Sequence, residues 1–211
     1  MGRIAGYDRS ELIRSARDLF WRRGFDAVSV AEVEEATGVG RSSIYHAFGN
    51  MRGLFDATVA DYLDEIVRPR LRPLTADVVS PTAILDHLDG LRIAITALAG
   101  DTSPHGCLLL TSAATPIGDD AAVHQVISDY HRELSQAVAN GIRALLPDTD
   151  DAVRRRLTIL TTGSTIAALT LARVDAGAAC DTLTAAIATL EDARDGRPAS
   201  AGGAPHRVHP M

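Results

Sequence analysis

The chain has 211 residues, of which 46% are hydrophobic and 4% aromatic, and it carries a formal charge of −6. This length suits one large domain or two small ones around a substantial core, and the acidic balance excludes a protein that coats nucleic acid indiscriminately. Every basic residue is an arginine. Residues 1–55 hold eight arginines against seven Asp and Glu, so the N-terminal end is the less acidic one and suits phosphate contacts at a defined place. Cys107 and Cys180, with no export-signal layout before them, give no disulfide framework and point to a reducing cytoplasm. The uncharged run from Leu157 to Ala172 is shorter than the ~20 residues of a membrane span and includes five threonines, so it predicts a buried helix.

Asp8 with Glu11 caps a first helix to about Arg23, with Leu12, Ile13, Ala16, Leu19 and Phe20 as its inner stripe. Ser29 and Glu32 have capping-box spacing at the start of a second helix, and Val30, Val33 and Ala36 make its apolar face. It stops at Thr37, where Gly38 supplies a left-handed residue and Val39 plugs the corner. Gly40 and Arg41 open a third helix in which Ile44 and Phe48 point inward. Arg41, Ser42, Ser43, Tyr45 and His46 are left outside. This is the layout of a helix-turn-helix.

Asn50 caps a connecting helix from Met51 to about Arg68, ended by Pro69 and Pro73. Ser80-Pro81 starts a helix to Ala99, followed by a loop from Gly100 to Gly106 and a short helix from Cys107 to Ala114. Asp119 and Asp120 lead a long helix with Val123, Ile127, Tyr130, Leu134, Val138, Ile142 and Leu145 on one face. Two more helices are predicted, from about Asp150 to Val174 and from Asp181 to about Ala193, and no strand pattern appears. The penultimate helix has two apolar faces. One suits a symmetry mate, with Leu160, Ser164, Ala167 and Leu171 meeting Leu183, Ile187 and Leu190 across a two-fold axis; the alternative is that one chain covers both faces.

The series Gly38, Val39, Ile44, Tyr45, Phe48, with Leu54-Phe55 opening the next helix, resembles the TetR family of transcriptional regulators. Leu12, Ala16, Leu19, Phe20, Gly24, Phe25 and Ser29 fit the same pattern upstream. Met51 stands where the family usually has a phosphate-touching lysine, a role Arg52 is placed to take over. Glu34 occupies a position that is commonly small, which implies altered helix packing.

The resemblance implies an all-α fold: a three-helix DNA-binding domain with a helix-turn-helix in residues 1–55 and a helical ligand-binding and dimerisation bundle in 56–195; the stretch 196–211, rich in Gly, Pro and Ala, is expected to be a disordered tail. Gly40, Arg41, Ser42 and Ser43 then meet the major groove at the start of the reading helix, where Arg pairs with a guanine edge. Tyr45 bonds a phosphate by resemblance, and His46 faces base or backbone. Ser29 and Asn50 contact phosphate or act as caps alone.

An effector pocket is also implied, with His87, Arg92, Cys107, Thr111, His124, Tyr130 and His131 as candidate lining, polar or reactive groups on apolar helices. For Cys107, which opens a helix after a His, buried packing is the favoured reading and thiol sensing the alternative. The expected function is a ligand-responsive repressor, a homodimer on a palindromic operator that a small effector releases, with no cofactor or metal. A small all-α enzyme is the rival, against which stands the lack of a nucleophile elbow, phosphate loop or Cys/His metal spacing. A helical interaction module without DNA is a second rival, disfavoured by Arg41, Ser43 and Tyr45 on one exposed face.

Overall fold

The computed structural model describes residues 7–99 and 105–196, and every element within them is helical. Residues 100–104 of the predicted loop and 197–211 of the predicted tail lie outside the described residues. Helix α1 (Arg9–Arg23) is capped by Asp8, whose carboxylate accepts the Ser10 N–H at 2.8 Å. Its inner stripe buries Leu12, Ala16, Leu19 and Phe20. Phe20 meets Phe55 edge-on at 5.6 Å, and Phe25 lies 4.9 Å from Phe55, so three rings hold the N-terminal head together. Helices α2 (Val30–Thr37), α3 (Arg41–Phe48) and α4 (Met51–Tyr62) complete it.

One inward position in α2 differs from expectation. Ala36 is exposed and Val33 is the buried residue. Thr37, one turn after Val33, packs half-buried because its hydroxyl donates to the Val33 carbonyl and accepts the Val39 N–H at 3.2 Å.

The connecting helix does not end at Pro69. A π-helical turn (Leu63–Val67) follows α4, and α5 (Arg68–Thr75) continues with Pro73 inside it. The Arg68 N–H reaches back five residues to the Leu63 carbonyl. Pro69 then falls in the opening turn of α5, where its missing N–H leaves no helical bond broken. The division expected at residue 55 thus falls inside α4, part of a rod that runs from residue 51 to 75.

Helices α6 (Ala83–Leu98), α7 (Leu108–Ala113), α8 (Ala121–Leu145), α9 (Asp151–Leu171) and α10 (Ala176–Arg194) form the body. α8 buries Val123, Tyr130, Leu134, Val138, Ile142 and Leu145 as expected. Gly141 lets it approach α5 and α6, since a Cβ there would stand 2.7 Å from Leu74 Cδ2 and 2.8 Å from Ile84 Cβ. α10 begins five residues earlier than Asp181, because Asp175 caps it by accepting the Ala178 N–H at 2.9 Å.

Three polar ties join head to body. Arg52, in the first turn of α4, binds Asp56 at 2.8 Å and Asp120, the cap of α8, at 2.7 Å. Asp26 accepts the Ile117 N–H at 3.2 Å. Arg173 donates to the Trp21 and Arg22 carbonyls, both at 2.9 Å, at the otherwise unsatisfied C-terminal end of α1.

The guanidinium of Arg52 holds the Asp120 carboxyl down from its ordinary 3.8 to about 2, assisted by the Val123 N–H. A depressed carboxyl pKa contributes stability above the unfolded value, which is lost as pH falls through the folded one, so this tie persists until about pH 2. NMR titration of the Asp120 carboxyl should show a midpoint near 2, moving back toward 3.8 in Arg52→Gln; a wild-type midpoint near 3.8 would show the tie is open in solution.

Candidate nucleic-acid interface

The turn between α2 and α3 is set by two glycines with different roles. Gly38 takes the left-handed conformation, φ 68° and ψ 10°, which ends α2 and costs other residues steric strain. Gly40 is the N-cap of α3 and has no side chain with which to cap. Glu34 does that work from α2: its Oε1 accepts the Arg41 N–H at 2.6 Å. The residue expected to alter packing is therefore the cap of α3. Its only sequence signal is the uncapped glycine start, since seven positions separate acceptor and donor.

α3 presents Arg41, Ser42 and His46 to solvent, with Ser43 and Tyr45 half-buried behind them and Ile44 fully buried. The Arg41 guanidinium lies 5.0 Å from the Tyr45 ring centroid, and Arg9 of α1 covers the Phe48 ring at 4.7 Å. Asn50 is exposed, and its Oδ1 accepts the Gly53 N–H at 2.8 Å. The Gly53 Cα is pressed so closely to α3 that a Cβ would lie 2.1 Å from the Phe48 carbonyl oxygen.

Ser29 and Glu32 form the predicted capping box, the serine N–H and hydroxyl each donating to Glu32 Oε2 at 2.8 Å. Those bonds, the backbone one first, hold the Glu32 carboxyl below its ordinary range, and Arg23 pairs with its other oxygen. Ser29 is thus engaged as a cap in this state. Arg52 is likewise engaged in this state, paired with Asp56 one turn along its own helix and with Asp120 of the body.

Of the candidate effector residues, His87 and Tyr130 line a cavity inside the body, with Tyr62 and Thr165. Cys107 is buried and donates its thiol weakly to the Tyr130 hydroxyl at 3.8 Å. Burial pushes both the Tyr62 and Tyr130 hydroxyls well above their ordinary pKa, with Cys107 adding to it. Four others lie elsewhere. Arg92 pairs with Asp89 on the outer face of α6, Thr111 bonds the Cys107 carbonyl of its own helix, and His124 and His131 are exposed on α8. The stripe of α8 has room for only one residue in three or four facing inward, and Val123 and Tyr130 take those positions.

The expected dimer residues also separate. Leu183 and Leu190 are fully buried within the chain, where α10 packs on α9 and α6, so they have no area to offer a partner. Ile187 and Leu171 are half-buried. Leu160 is 54% exposed and Ile159 66%, with Gly163 and Ala167 exposed and Ser164 half-buried on the same helix. The inner face of α9 is instead Leu157, Thr161, Thr162, Thr165 and Ala168. The Thr165 hydroxyl returns to its own helix, donating to the Thr161 carbonyl at 2.9 Å, whereas the Thr162 hydroxyl is buried without a partner.

Comparison with known proteins agrees with this geometry. The model of the bacterial regulatory proteins of the tetR family matches residues 12–58. The HTH-type transcriptional repressor ComR of Escherichia coli K12 is 28% identical over 131 residues, 62% of this chain and 61% of that protein. BdcR, another HTH-type transcriptional repressor of that organism, is 42% identical over 62 residues, 29% of this chain and 32% of its own length. The chain thus spans less than two thirds of either relative. A cysteine mutant of the TetR family regulator CifR, solved with a 26-bp double-strand operator DNA, superimposes with a TM-score of 0.73 at 25% identity, over 88% of this chain and 98% of that one.

Glu34→Ala should leave the Arg41 N–H without an acceptor and speed its hydrogen exchange about five-fold or more, the equivalent of roughly 1 kcal/mol of capping. Glu34→Gln keeps an acceptor oxygen and should exchange like the wild type. Unchanged exchange in the alanine variant would show that the cap does not form in solution.

Proposed function

We propose that this chain, whose residues 12–58 match the model of the tetR family of bacterial regulatory proteins, is a transcriptional repressor of that family that holds a palindromic operator as a homodimer and releases it when a small effector binds. The observation that carries the proposal is the amino end of α3, where Gly40, Arg41 and Ser42 are exposed, with Ser43 half-buried beside them, on a helix whose own first N–H is already capped. Arg41 offers a guanidinium to a guanine edge. The serine hydroxyls reach base or phosphate. Tyr45 and Asn50 flank the helix where phosphates pass, with His46 one turn further on. Ser29 serves α2 as a cap and takes a phosphate only if its hydroxyl stops donating to the Glu32 carboxylate.

The partly exposed strip of α9, with Leu160 and Ala167 exposed and Ser164 and Leu171 half-buried, supports a two-fold partner; Ile187, also half-buried, borders it from α10. The effector acts in the cavity below the rod. No helix among the described residues is long and apolar enough to cross a membrane, and cytoplasmic residence follows from the regulatory role.

Selection from random DNA should return an inverted repeat with half-sites about one helical turn apart. On that operator Arg41→Ala should cost about 1–3 kcal/mol and relax preference at one base pair per half-site, whereas Tyr45→Phe should weaken all variants alike. Failure to enrich any motif, or an equal loss for every sequence in the Arg41 variant, would contradict the assignment.

A further inference from the structure

The cavity has two parts that share a wall. An outer cleft of about 580 Å³ opens between α5 and α6, and an inner chamber of about 30 Å³ lies beneath it, bordered by Tyr62, Leu71, Tyr130 and Leu134. Arg70, His87 and Leu91 line both. Arg70 forms no ion pair among the described residues, and it lies near enough to lower the His87 and Tyr62 pKa electrostatically. Asp86, which also borders the cleft, accepts from Thr82 Oγ1 at 2.8 Å instead.

His87 supplies the second half of the site. Its Nδ1 lies 3.2 Å from the Arg70 carbonyl, and a carbonyl only accepts, so Nδ1 carries the hydrogen. Burial lowers the pKa of the ring and keeps it neutral. Nε2 therefore holds a bare lone pair, buried and without a partner. Such a buried acceptor calls for a donor, and the exposed guanidinium of Arg70 on the same wall is free to meet an anion.

We propose that the cavity takes an amphipathic hydroxycarboxylate: its carboxylate binds Arg70, its hydroxyl donates to His87 Nε2, and its hydrocarbon tail enters the inner chamber. The assignment rests on the effector-responsive reading above. An inner chamber of about 30 Å³ has room for about one water, so the tail must displace its walls. Tyr62 ends α4 immediately before the π-turn, and its ring meets Trp21 at 4.8 Å and 78°. Trp21 is the chain's single tryptophan. Tail binding thus pushes on the rod and on α1 together, and the indole reports it.

The test uses 3-hydroxyoctanoate as the probe on full-length, DNA-free protein, followed by Trp21 emission and by calorimetry. A saturable response is expected, with octanoate (no hydroxyl) and 1,3-octanediol (no charge) each binding about ten-fold or more weakly. Arg70→Gln, at an exposed site, should abolish the preference for acid over diol. His87→Phe should abolish the preference for hydroxy acid over octanoate. Equal binding of acid and diol by the wild type, or an Arg70 variant that keeps the preference, overturns the assignment. Operator binding by the same preparation separates the two readings. A protein that holds DNA but not the probe refutes the hydroxycarboxylate and leaves the repressor; one that binds the probe through Arg70 yet never holds DNA does the reverse.

Discussion

One helical rod, from residue 51 to 75, belongs to both halves of this molecule, and the rest of the structure is arranged around that constraint. At its start Phe55 joins the ring cluster of the head, and Leu54 is fully buried beside it. Eight residues after Leu54, Tyr62 borders the inner chamber of the body. Such a rod cannot be bent at one end without moving the other, except at a weak point. The π-turn provides one, since wider turns interrupt the regular ladder and recur at functional sites.

Charge and backbone contacts add direction to a joint whose apolar core runs through both halves. Arg52 meets Asp120, Arg173 meets the carbonyl end of α1, and Asp26 meets the backbone of Ile117. Inside the head, Arg17 is 9% exposed and joins α1 to α4 through Asp61 at 2.7 Å. The three contacts at the joint are directional, so they fix orientation, and they involve part-exposed groups that water can replace at modest cost, whereas Arg17 is buried. A joint of that kind holds one geometry firmly and yields to a second when a ligand favours it.

The head was legible because its signals are local. Capping-box spacing at Ser29 and Glu32, the left-handed Gly38 and the inward pair Ile44 and Phe48 all act within one or two turns, and the structure reproduces each nearly residue for residue, with Phe48 left half-buried. What escaped depends on contacts distant in sequence. Glu34 reads as a misfit in α2 until Arg41 is beside it, and Arg52 reads as a spare phosphate ligand until Asp120 arrives from α8. Pro69 and Pro73 carry strong breaker signals, which the π-turn and packing of α5 against α8 overrode. On α9 the apolar count favoured Leu160 inside, while the core face went to Leu157 and three threonines, of which Thr165 satisfies its hydroxyl within the helix and Thr162 leaves its own buried without a partner. Arg70 was missed because nothing in an Arg-Pro-rich stretch marks a cation that lines a cavity.

The claim that the head reads DNA and passes the event to the body through one rod is tested most directly by hydrogen exchange with and without an operator fragment. Protection should appear across Arg41–Phe48 and extend to the π-turn at Leu63–Val67, although the turn touches no DNA. Protection confined to the head would break the link between the two halves, and none at Arg41–Phe48 would remove α3 as the reading helix.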